Sequence, residues 1–242
     1  MKKILKKSAS FLTDALFPRR CPVCEGIVSS GGSLICPSCF SKLSFVKSPT
    51  CKKCGKEVMN DRIEYCYDCT RHLRTFEAGM ALLNYNDAAA GSMAQIKYHN
   101  KREYLDFYGE AIVRRYGKRI FRIHPDALIP VPVHPSKMRT RGYNQAELLA
   151  DRIGRQLGLP VNSDILLRSR KTEPQKDLSP QERFKNLEKA FTAVHVPESM
   201  HKVLLVDDIY TTGSTAEACT RALKQQGIER VYFLTICIGY GK

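Results

Sequence analysis

The stretch "KVLLVDDIYTTGSTAEACTRALKQQG", residues 202–227, joins an apolar run to two adjacent acids and a hydroxyl-rich turn. The apolar run predicts a buried strand over 203–207 that ends in the acids. After the turn, apolar residues recur at helical spacing, which predicts a helix over about 214–226 that Gly227 ends. The stretch therefore predicts a strand, a polar turn and a helix in immediate succession.

The polar turn carries chemistry because ligands of open α/β sheets bind at the carboxyl ends of strands. The predicted phosphate-binding residues are Thr211, Thr212, Gly213, Ser214 and Thr215. They lead into a helix N-terminus, whose free N–H groups and positive dipole end favour a phosphate. Asp207 and Asp208 can accept hydrogen bonds from the vicinal hydroxyls of a sugar. A phosphate beside a diol describes a ribose 5-phosphate; ordinary capping residues after a strand are the alternative.

The chain from about residue 78 alternates between strand and helix patterns. Apolar runs predict strands at 78–85, 126–133, 189–194 and 230–238, and apolar residues at helical spacing predict helices at 87–97, 105–116 and 142–158. Such alternation predicts a mostly parallel sheet with helices on both faces. A charged stretch poor in apolar residues, 168–189, interrupts the pattern.

Eight of the ten cysteines form four pairs with two residues between the thiols. Each pair begins 15 residues after the previous one: Cys21 and Cys24, Cys36 and Cys39, Cys51 and Cys54, Cys66 and Cys69. A tight turn of this spacing offers both sulfurs to one tetrahedral zinc, so four pairs predict two structural zinc ions. Successive pairs sharing a metal suits two zinc ribbons, and a crossed pairing of the first with the third is the alternative. Cys219 and Cys237 lie in apolar segments and are expected to be core thiols.

The chain of 242 residues carries a net charge of +15, and that charge is uneven. Residues 1–75 hold 14 Lys and Arg against 6 Asp and Glu, whereas residues 144–242 hold 14 against 12. The front of the chain is therefore the part that would attract a polyanion. A solvated basic surface without a partner is the alternative.

The first 20 residues predict a short amphipathic helix that ends at Pro18. They do not resemble a secretory signal, because Asp14 interrupts the apolar part and no small-residue cleavage site follows. No apolar run is long enough to span a membrane. We expect a cytoplasmic protein, in which thiols stay reduced.

Residues 203–215 resemble the fingerprint of type I phosphoribosyltransferases: four apolar residues, Asp-Asp, two apolar or aromatic residues, then Thr-Thr-Gly-x-Thr. Those enzymes bind phosphoribosyl pyrophosphate with magnesium. The resemblance implies that Asp207 and Asp208 hold the ribose hydroxyls and that 211–215 hold the 5-phosphate. It also implies that Val131 and Pro132 belong to a pyrophosphate-contacting loop, and that 168–189 form a mobile loop over the substrate.

From Cys21 to its end, the chain resembles the ComF-type competence proteins. The resemblance is carried by "IKYHNKRE" (96–103), "RTRGYNQAELLA" (139–150) and "RKTEPQKDLSPQERFKNLEKAF" (170–191). It implies an association with DNA uptake in natural transformation, and partners among other competence proteins. The predicted domains are a helix at 1–20, a double zinc ribbon at 21–75 and a phosphoribosyltransferase-like domain at 76–242. The expected fold is α/β, with a mostly parallel sheet of the type I phosphoribosyltransferase kind.

Two functions fit these observations. In the first, the protein is a transferase that displaces pyrophosphate, with Asp207, Asp208 and Arg141 as catalytic residues. Lys137, Arg139 and Arg141 follow the pyrophosphate-loop candidate and can stabilise the departing charge, or they are surface cations on a loop. The sequence indicates no acceptor, and we expect no glutamine-dependent chemistry, because no segment of this sequence resembles a glutaminase domain with a nucleophilic N-terminal cysteine.

In the second, the protein is a non-catalytic module that holds single-stranded DNA, and its sugar-phosphate site is regulatory or vestigial. Unpaired strands are held by stacking on aromatic rings together with contacts to phosphates. Aromatic residues lie among the cations of the front half: Phe40, Phe45, Tyr65, Tyr67, Phe76, Tyr98, Tyr104 and Tyr143. Core packing of these rings is the alternative.

Overall fold

The computed structural model describes residues 18–28, 32–168 and 190–239. Nearly all of the predicted N-terminal helix, 1–17, lies outside these ranges. So do residues 169–189 of the predicted mobile loop, including Thr172, Gln175, Arg183 and Asn186.

Strands in the described residues form a parallel sheet and one separate antiparallel pair. In chain order they are β1 (Gly79–Asn84), β2 (Ala127–Pro130), β3 (Leu166–Arg168), β4 (Phe191–Ala193), β5 (Lys202–Tyr210) and β6 (Arg230–Ile238). The sheet has the order β1-β6-β5-β2, and its neighbouring strands all pair in parallel. Strands β3 and β4 pair with each other. The predicted mostly parallel α/β sheet is therefore confirmed.

Strand β5 lies in the middle of the sheet and buries both of its faces. Val203 and Leu205 belong to the apolar cluster on one face, and Leu204 and Val206 to the cluster on the other. This explains why the sequence shows a continuous apolar run rather than an alternating one.

Helices cover both faces of the sheet, as predicted. They are α1 (Pro37–Phe40), α2 (Tyr67–Arg71), α3 (Asp87–Tyr98), α4 (Tyr104–Ile123), α5 (Pro135–Arg141), α6 (Gln145–Leu157) and α7 (Ser214–Gln225). Apolar residues of α3, α4 and α6 pack on one face, and those of α7 pack on the other. None of the helices in the described ranges has the length and apolar character that a membrane crossing requires.

The predicted end of β5 at residue 207 is wrong by three residues. Asp207 pairs with Thr235 of β6, and Tyr210 pairs with Ile238. Because β6 continues alongside, the backbone of β5 keeps its hydrogen-bonding partners beyond the acids. Both acids therefore lie within the strand, close to its carboxyl end.

The 30-residue repeat of the sequence recurs in the structure of the two ribbons. Cys21 N donates to Gly26 O at 2.8 Å, and Cys51 N donates to Lys56 O at 2.7 Å. In each ribbon, the turn that follows the first pair of cysteines has a residue in the left-handed region at the equivalent position. This residue is Glu25, at φ 60°, in the first ribbon and Gly55, at φ 78°, in the second. A Cβ on Gly55 would lie 2.8 Å from the carbonyl oxygen of Gly79 in β1, so the second ribbon approaches the sheet closely at this turn.

The second ribbon shares the core of the sheet domain, and the first has a small core of its own. Cys51, Cys54 and Cys66 belong to the same buried cluster as Val203 and other residues of the sheet. Cys21 and Cys39 lie instead in a separate cluster with Val28. The predicted domain boundary between 75 and 76 therefore separates two segments that share one buried cluster.

Candidate functional site

Two groups of four cysteines are suited to bind metal. In each group, all the Sγ atoms lie within 4.8 Å of one another: Cys21, Cys24, Cys36 and Cys39 in the first, Cys51, Cys54, Cys66 and Cys69 in the second. Cys36 Sγ lies 3.6 Å from Cys21 Sγ and 3.8 Å from Cys24 Sγ. Four thiolates at about 2.3 Å from a tetrahedral zinc lie about 3.8 Å apart, so both groups fit one zinc each. Successive pairs therefore share a site, and the crossed pairing is wrong.

Both sites are closed, because four thiolates leave no position for a substrate. They suit structural zinc, which supplies folding energy that a segment with so small a core lacks. Cys219 and Cys237 are fully buried elsewhere, and burial raises the pKa of both thiols. They are core thiols, as expected.

We expect two zinc ions per chain in freshly purified, reduced protein. The reason is that each group of four sulfurs already has the spacing of a tetrahedral site. Elemental analysis against protein concentration measures this ratio. Replacing Cys21 and Cys24 with serine should lower the ratio to about one, because the second group keeps its four thiolates. A parent protein with about one zinc, or none, would contradict the assignment.

The turn between β5 and α7 has the geometry of an anion site. Gly213 has φ +79°, and a Cβ there would lie 2.2 Å from Tyr210 Oη. Gly213 is also the N-terminal capping position of α7, where it offers no side-chain acceptor. The Ser214 N–H makes a long hydrogen bond of 3.4 Å to Thr212 Oγ1, and the next N–H groups of the first turn are available to an anion. The hydroxyls of Thr212 and Ser214, 2.9 Å apart, lie beside them.

A pocket opens at this turn. Six residues singled out from the sequence line it: Val131, Asp207, Thr211, Gly213, Ser214 and Thr215. Other walls come from β5 and β6 themselves, including Tyr210 and Phe233. The fold thus brings the first acid, the turn and one residue of the pyrophosphate-loop candidate around one space.

Asp208 is the more buried of the two acids and has two partners that come from distant helices. Lys97 Nζ, at the end of α3, forms an ion pair with Asp208 Oδ2, and Gln145 Nε2 donates to Asp208 Oδ1 at 3.1 Å. Asp207 Oδ1 instead accepts a hydrogen bond from the backbone N–H of Asp208 at 2.8 Å. Asp207 lines the pocket, whereas the side chain of Asp208 is bound by Lys97 and Gln145.

The two acids differ in pKa because their partners differ. Burial raises the pKa of Asp207 well above its ordinary value, and the neighbouring charge of Asp208 adds to the effect. Burial also acts to raise the pKa of Asp208, but the charge and hydrogen bond of Lys97, together with hydrogen bonds to Asp207 and Gln145, outweigh it, so that pKa is lowered. Asp208 is therefore the acid that ionises first. Because the charge of Lys97 offsets that of Asp208, the two acids together would repel an anion less than two unpaired carboxylates would.

Sequence reasoning missed Lys97 and Gln145 as site residues. Both lie in motifs that carried the family resemblance, "IKYHNKRE" and "RTRGYNQAELLA", but their spacing suggested only helix positions. Asn144 has a further role: its Oδ1 accepts from Ala146 N at the start of α6, and its Nδ2 donates to Val131 O, both at 3.0 Å. This side chain joins the pyrophosphate-loop candidate to the helix that carries Gln145.

The predicted cations Lys137 and Arg141 differ in whether a hydrogen bond connects them to the acids. Arg141 donates to Gln145 Oε1, which connects it to Asp208 through one side chain. Lys137 is exposed, and neither Lys137 nor the half-buried Pro132 lines the pocket. Lys137 and Arg141 belong to α5 rather than to a loop, because Pro135 starts a helical turn that His134 caps.

Comparison with known proteins finds a separate family match in each of two parts of the chain. Residues 12–70 match the family described as "Double zinc ribbon domain", and residues 138–241 match "Phosphoribosyl transferase domain". "Competence protein F" of Haemophilus influenzae is 29% identical over 89% of this chain and 95% of its own length. "DNA utilization protein YhgH" of Escherichia coli is 25% identical, with 91% and 97% covered. "Competence protein ComFC" of Bacillus subtilis is 27% identical, with 80% and 79% covered.

These similarities agree with the geometry of the chain. The match to the double zinc ribbon spans both groups of four cysteines, and the match to the phosphoribosyltransferase domain spans the two acids and the turn. The relatives extend over both parts in one chain. Two such domains in this order, together with relatives of these names, support a ComF family protein.

Proposed function

We propose that the pocket at the end of β5 binds phosphoribosyl pyrophosphate with magnesium. The observation that carries this proposal is that Asp207, the hydroxyl-rich turn and the N-terminus of α7 surround one space at the carboxyl edge of a central strand, with Asp208 directly after Asp207 in that strand. The turn, 211–215, holds the 5-phosphate through N–H groups and hydroxyls. Asp207 and Asp208 accept hydrogen bonds from the ribose hydroxyls.

We further propose that the protein transfers the phosphoribosyl group to an acceptor. The bond between ribose C1 and the pyrophosphate oxygen breaks, the pyrophosphate leaves with the bonding electrons, and the acceptor forms the new bond at C1. Charge that develops on the leaving group is stabilised by cations, for which Arg141 is the best-placed candidate. Carboxylate oxygens suit magnesium, so Asp207 could hold it together with oxygens of the ligand. A magnesium ion held there would neutralise charge on the pyrophosphate.

Release of pyrophosphate tests the transfer step. Phosphoribosyl pyrophosphate, magnesium and one candidate acceptor at a time, from nucleobases to amines, are incubated with the protein. We expect release that needs the protein and one class of acceptor, and that falls when Arg141 is replaced by methionine. Binding without release for every acceptor would favour a regulatory sugar-phosphate site.

A second candidate function is the binding of single-stranded DNA, and one surface favours it. Along the second half of α4, Arg114, Lys118 and Arg122 are exposed at intervals of four residues, so they lie on one face of the helix. Phe121, which is 79% exposed, lies next to them in the sequence. The relatives named for competence and DNA utilization fit such a role. We also propose a cytoplasmic location and contacts with other competence proteins, in keeping with thiolates that must stay reduced.

Not every aromatic residue among the front-half cations is available for stacking. Phe76, Tyr104 and Tyr143 are buried, as core packing predicts, whereas Tyr67 and Tyr98 are 62% and 72% exposed. Two cations near the second ribbon also have partners. Lys52 forms an ion pair with Glu64, and Lys53 Nζ lies 5.7 Å from the centre of the Phe76 ring. The face of α4 is therefore the stronger candidate for phosphate contacts.

We expect full-length protein to bind single-stranded DNA with an affinity that falls as salt rises. Replacing Arg114, Lys118 and Arg122 with alanine should reduce the log–log slope by about 2, since each phosphate neutralised on a single strand contributes about −0.7. Filter binding at several salt concentrations measures the slope. The control variant replaces Lys52 and Lys53 with alanine, and it should change the log–log slope less. No retention of an oligonucleotide even at low salt would remove this function.

A further inference from the structure

We infer that Arg74 and Glu217 are positioning residues, which fix the phosphate-binding turn, 211–215, against the second zinc ribbon. Through them, the zinc site at Cys51, Cys54, Cys66 and Cys69 sets the affinity of the turn for a phosphorylated ligand. This inference rests on the proposed function, since it names what controls the same site.

Arg74 holds the turn by its backbone. It lies five residues beyond Cys69, and its guanidinium donates to the carbonyl oxygen of Thr212 at 2.5 Å. A peptide unit is planar, so an oxygen fixed on one side also fixes the direction of the Gly213 N–H on the other. That N–H is at the position where the turn would meet a phosphate. A cation supplied by the ribbon thus sets the orientation of a group in the turn.

Glu217 holds the start of the helix that follows the turn. Its side chain is fully buried in the first turn of α7. It accepts hydrogen bonds from Thr75 N at 2.8 Å and Thr75 Oγ1 at 3.0 Å, and it also pairs with Arg221 Nε at 2.8 Å. If α7 moved away from Thr75, this buried carboxylate would lose two of these three hydrogen bonds, which is costly for a buried charge. The helix N-terminus is therefore tied to the chain that leaves the second ribbon.

A stack of aromatic rings reinforces the same connection. Phe76, directly after Thr75, contacts Phe233 edge to face with ring centres 4.8 Å apart, and Phe233 stacks on Tyr210 at 4.8 Å. Tyr210 Oη in turn lies against Gly213. Arg74 and Thr75 thus contact the turn and α7 directly, and Phe76 is connected to Tyr210 through Phe233. The buried cysteines of the first ribbon lie instead in a separate cluster.

Two variants test the inference against a matched control. Arg74→Met and Glu217→Gln each remove one charged group that joins the turn or α7 to the second ribbon. The control, Arg71→Met, also removes one positive charge, but from a nearby exposed position. We expect hydrogen exchange at 211–217 of the ligand-free protein to become faster in the first two and to stay at the parent rate in the control. The dissociation constant for phosphoribosyl pyrophosphate with magnesium should rise about tenfold, the effect of losing one hydrogen bond to a charged group.

A second comparison separates the two zinc sites. Cys69→Ser weakens the second site and Cys24→Ser the first, with zinc content measured for both and exchange in β5 used to confirm a folded sheet. Faster exchange at 211–217 in the Cys69 variant alone supports the inference. Equal exchange in both cysteine variants, or parent-like exchange and affinity in Arg74→Met and Glu217→Gln, overturns it. If the parent protein binds no phosphoribosyl pyrophosphate, the proposed function fails, and the exchange comparison still decides whether these residues position the turn.

Discussion

Replacing Asp208 with alanine is expected to weaken the binding of phosphoribosyl pyrophosphate with magnesium by roughly 1–3 kcal/mol, the range for a lost hydrogen bond to a charged group. This corresponds to a rise in the dissociation constant of roughly 5- to 150-fold. Two effects act together. The ribose loses an acceptor, and Lys97 loses the carboxylate that holds it in a site where its side chain is only 19% exposed. Titration calorimetry measures the change.

A companion variant separates these two effects. Asp208→Ala combined with Lys97→Met removes the ion pair as a unit, so no unpaired charge remains. Its binding defect then reports the lost contact to the ribose. Asp87→Asn, at an exposed acid at the start of α3, is the control for a change in net charge. If Asp207→Asn combined with Asp208→Asn binds as tightly as the parent, the acids do not contact the ligand.

Replacing Gly213 with alanine is expected to weaken the same binding on the order of 10- to 100-fold, the scale on which a misplacement of about 1 Å affects a positioned group. An alanine at φ +79° has a left-handed conformation, which costs roughly 1–2 kcal/mol. Its Cβ would also lie 2.2 Å from Tyr210 Oη, so either the ring or the turn must move. Because we propose that the turn provides the phosphate contacts, the affinity should fall more than the stability. Calorimetry and thermal unfolding measure the two quantities.

Gly158→Ala provides the matched control for this variant. Gly158 also has a left-handed conformation, at φ +68°, but a Cβ there would meet no atom within 4 Å. It should therefore share the conformational cost and leave the ligand affinity at the parent value. Equal affinities for the parent and Gly213→Ala would contradict the role of the turn.

The elements of the fold were predictable from the sequence because their signals are local. The continuous apolar run of β5 indicated a strand buried on both faces, and the spacing of the cysteine pairs indicated two zinc sites. The end of β5 was not predictable from that run alone. It depends on the length of β6, whose residues pair with Asp207 and Tyr210 across the sheet.

The partners of the acids were not predictable, because they come from distant parts of the chain. Lys97 and Gln145 reach Asp208 from the ends of two helices that pack on the same face of the sheet. Nothing in the spacing of "IKYHNKRE" indicates which strand end it meets. The contact of Arg74 with Thr212 likewise spans 138 residues of sequence. Such contacts become visible only when the topology brings the segments together.

The most direct test of ligand binding at the end of β5 is a calorimetric titration of the full chain with phosphoribosyl pyrophosphate in the presence of magnesium. We expect saturable binding of about one ligand per chain, which is lost when both Asp207 and Asp208 are replaced by asparagine. Binding should also weaken when magnesium is chelated, since the pyrophosphate then keeps its full charge. The absence of saturable binding at millimolar ligand, or equal binding by the double asparagine variant, would contradict the account.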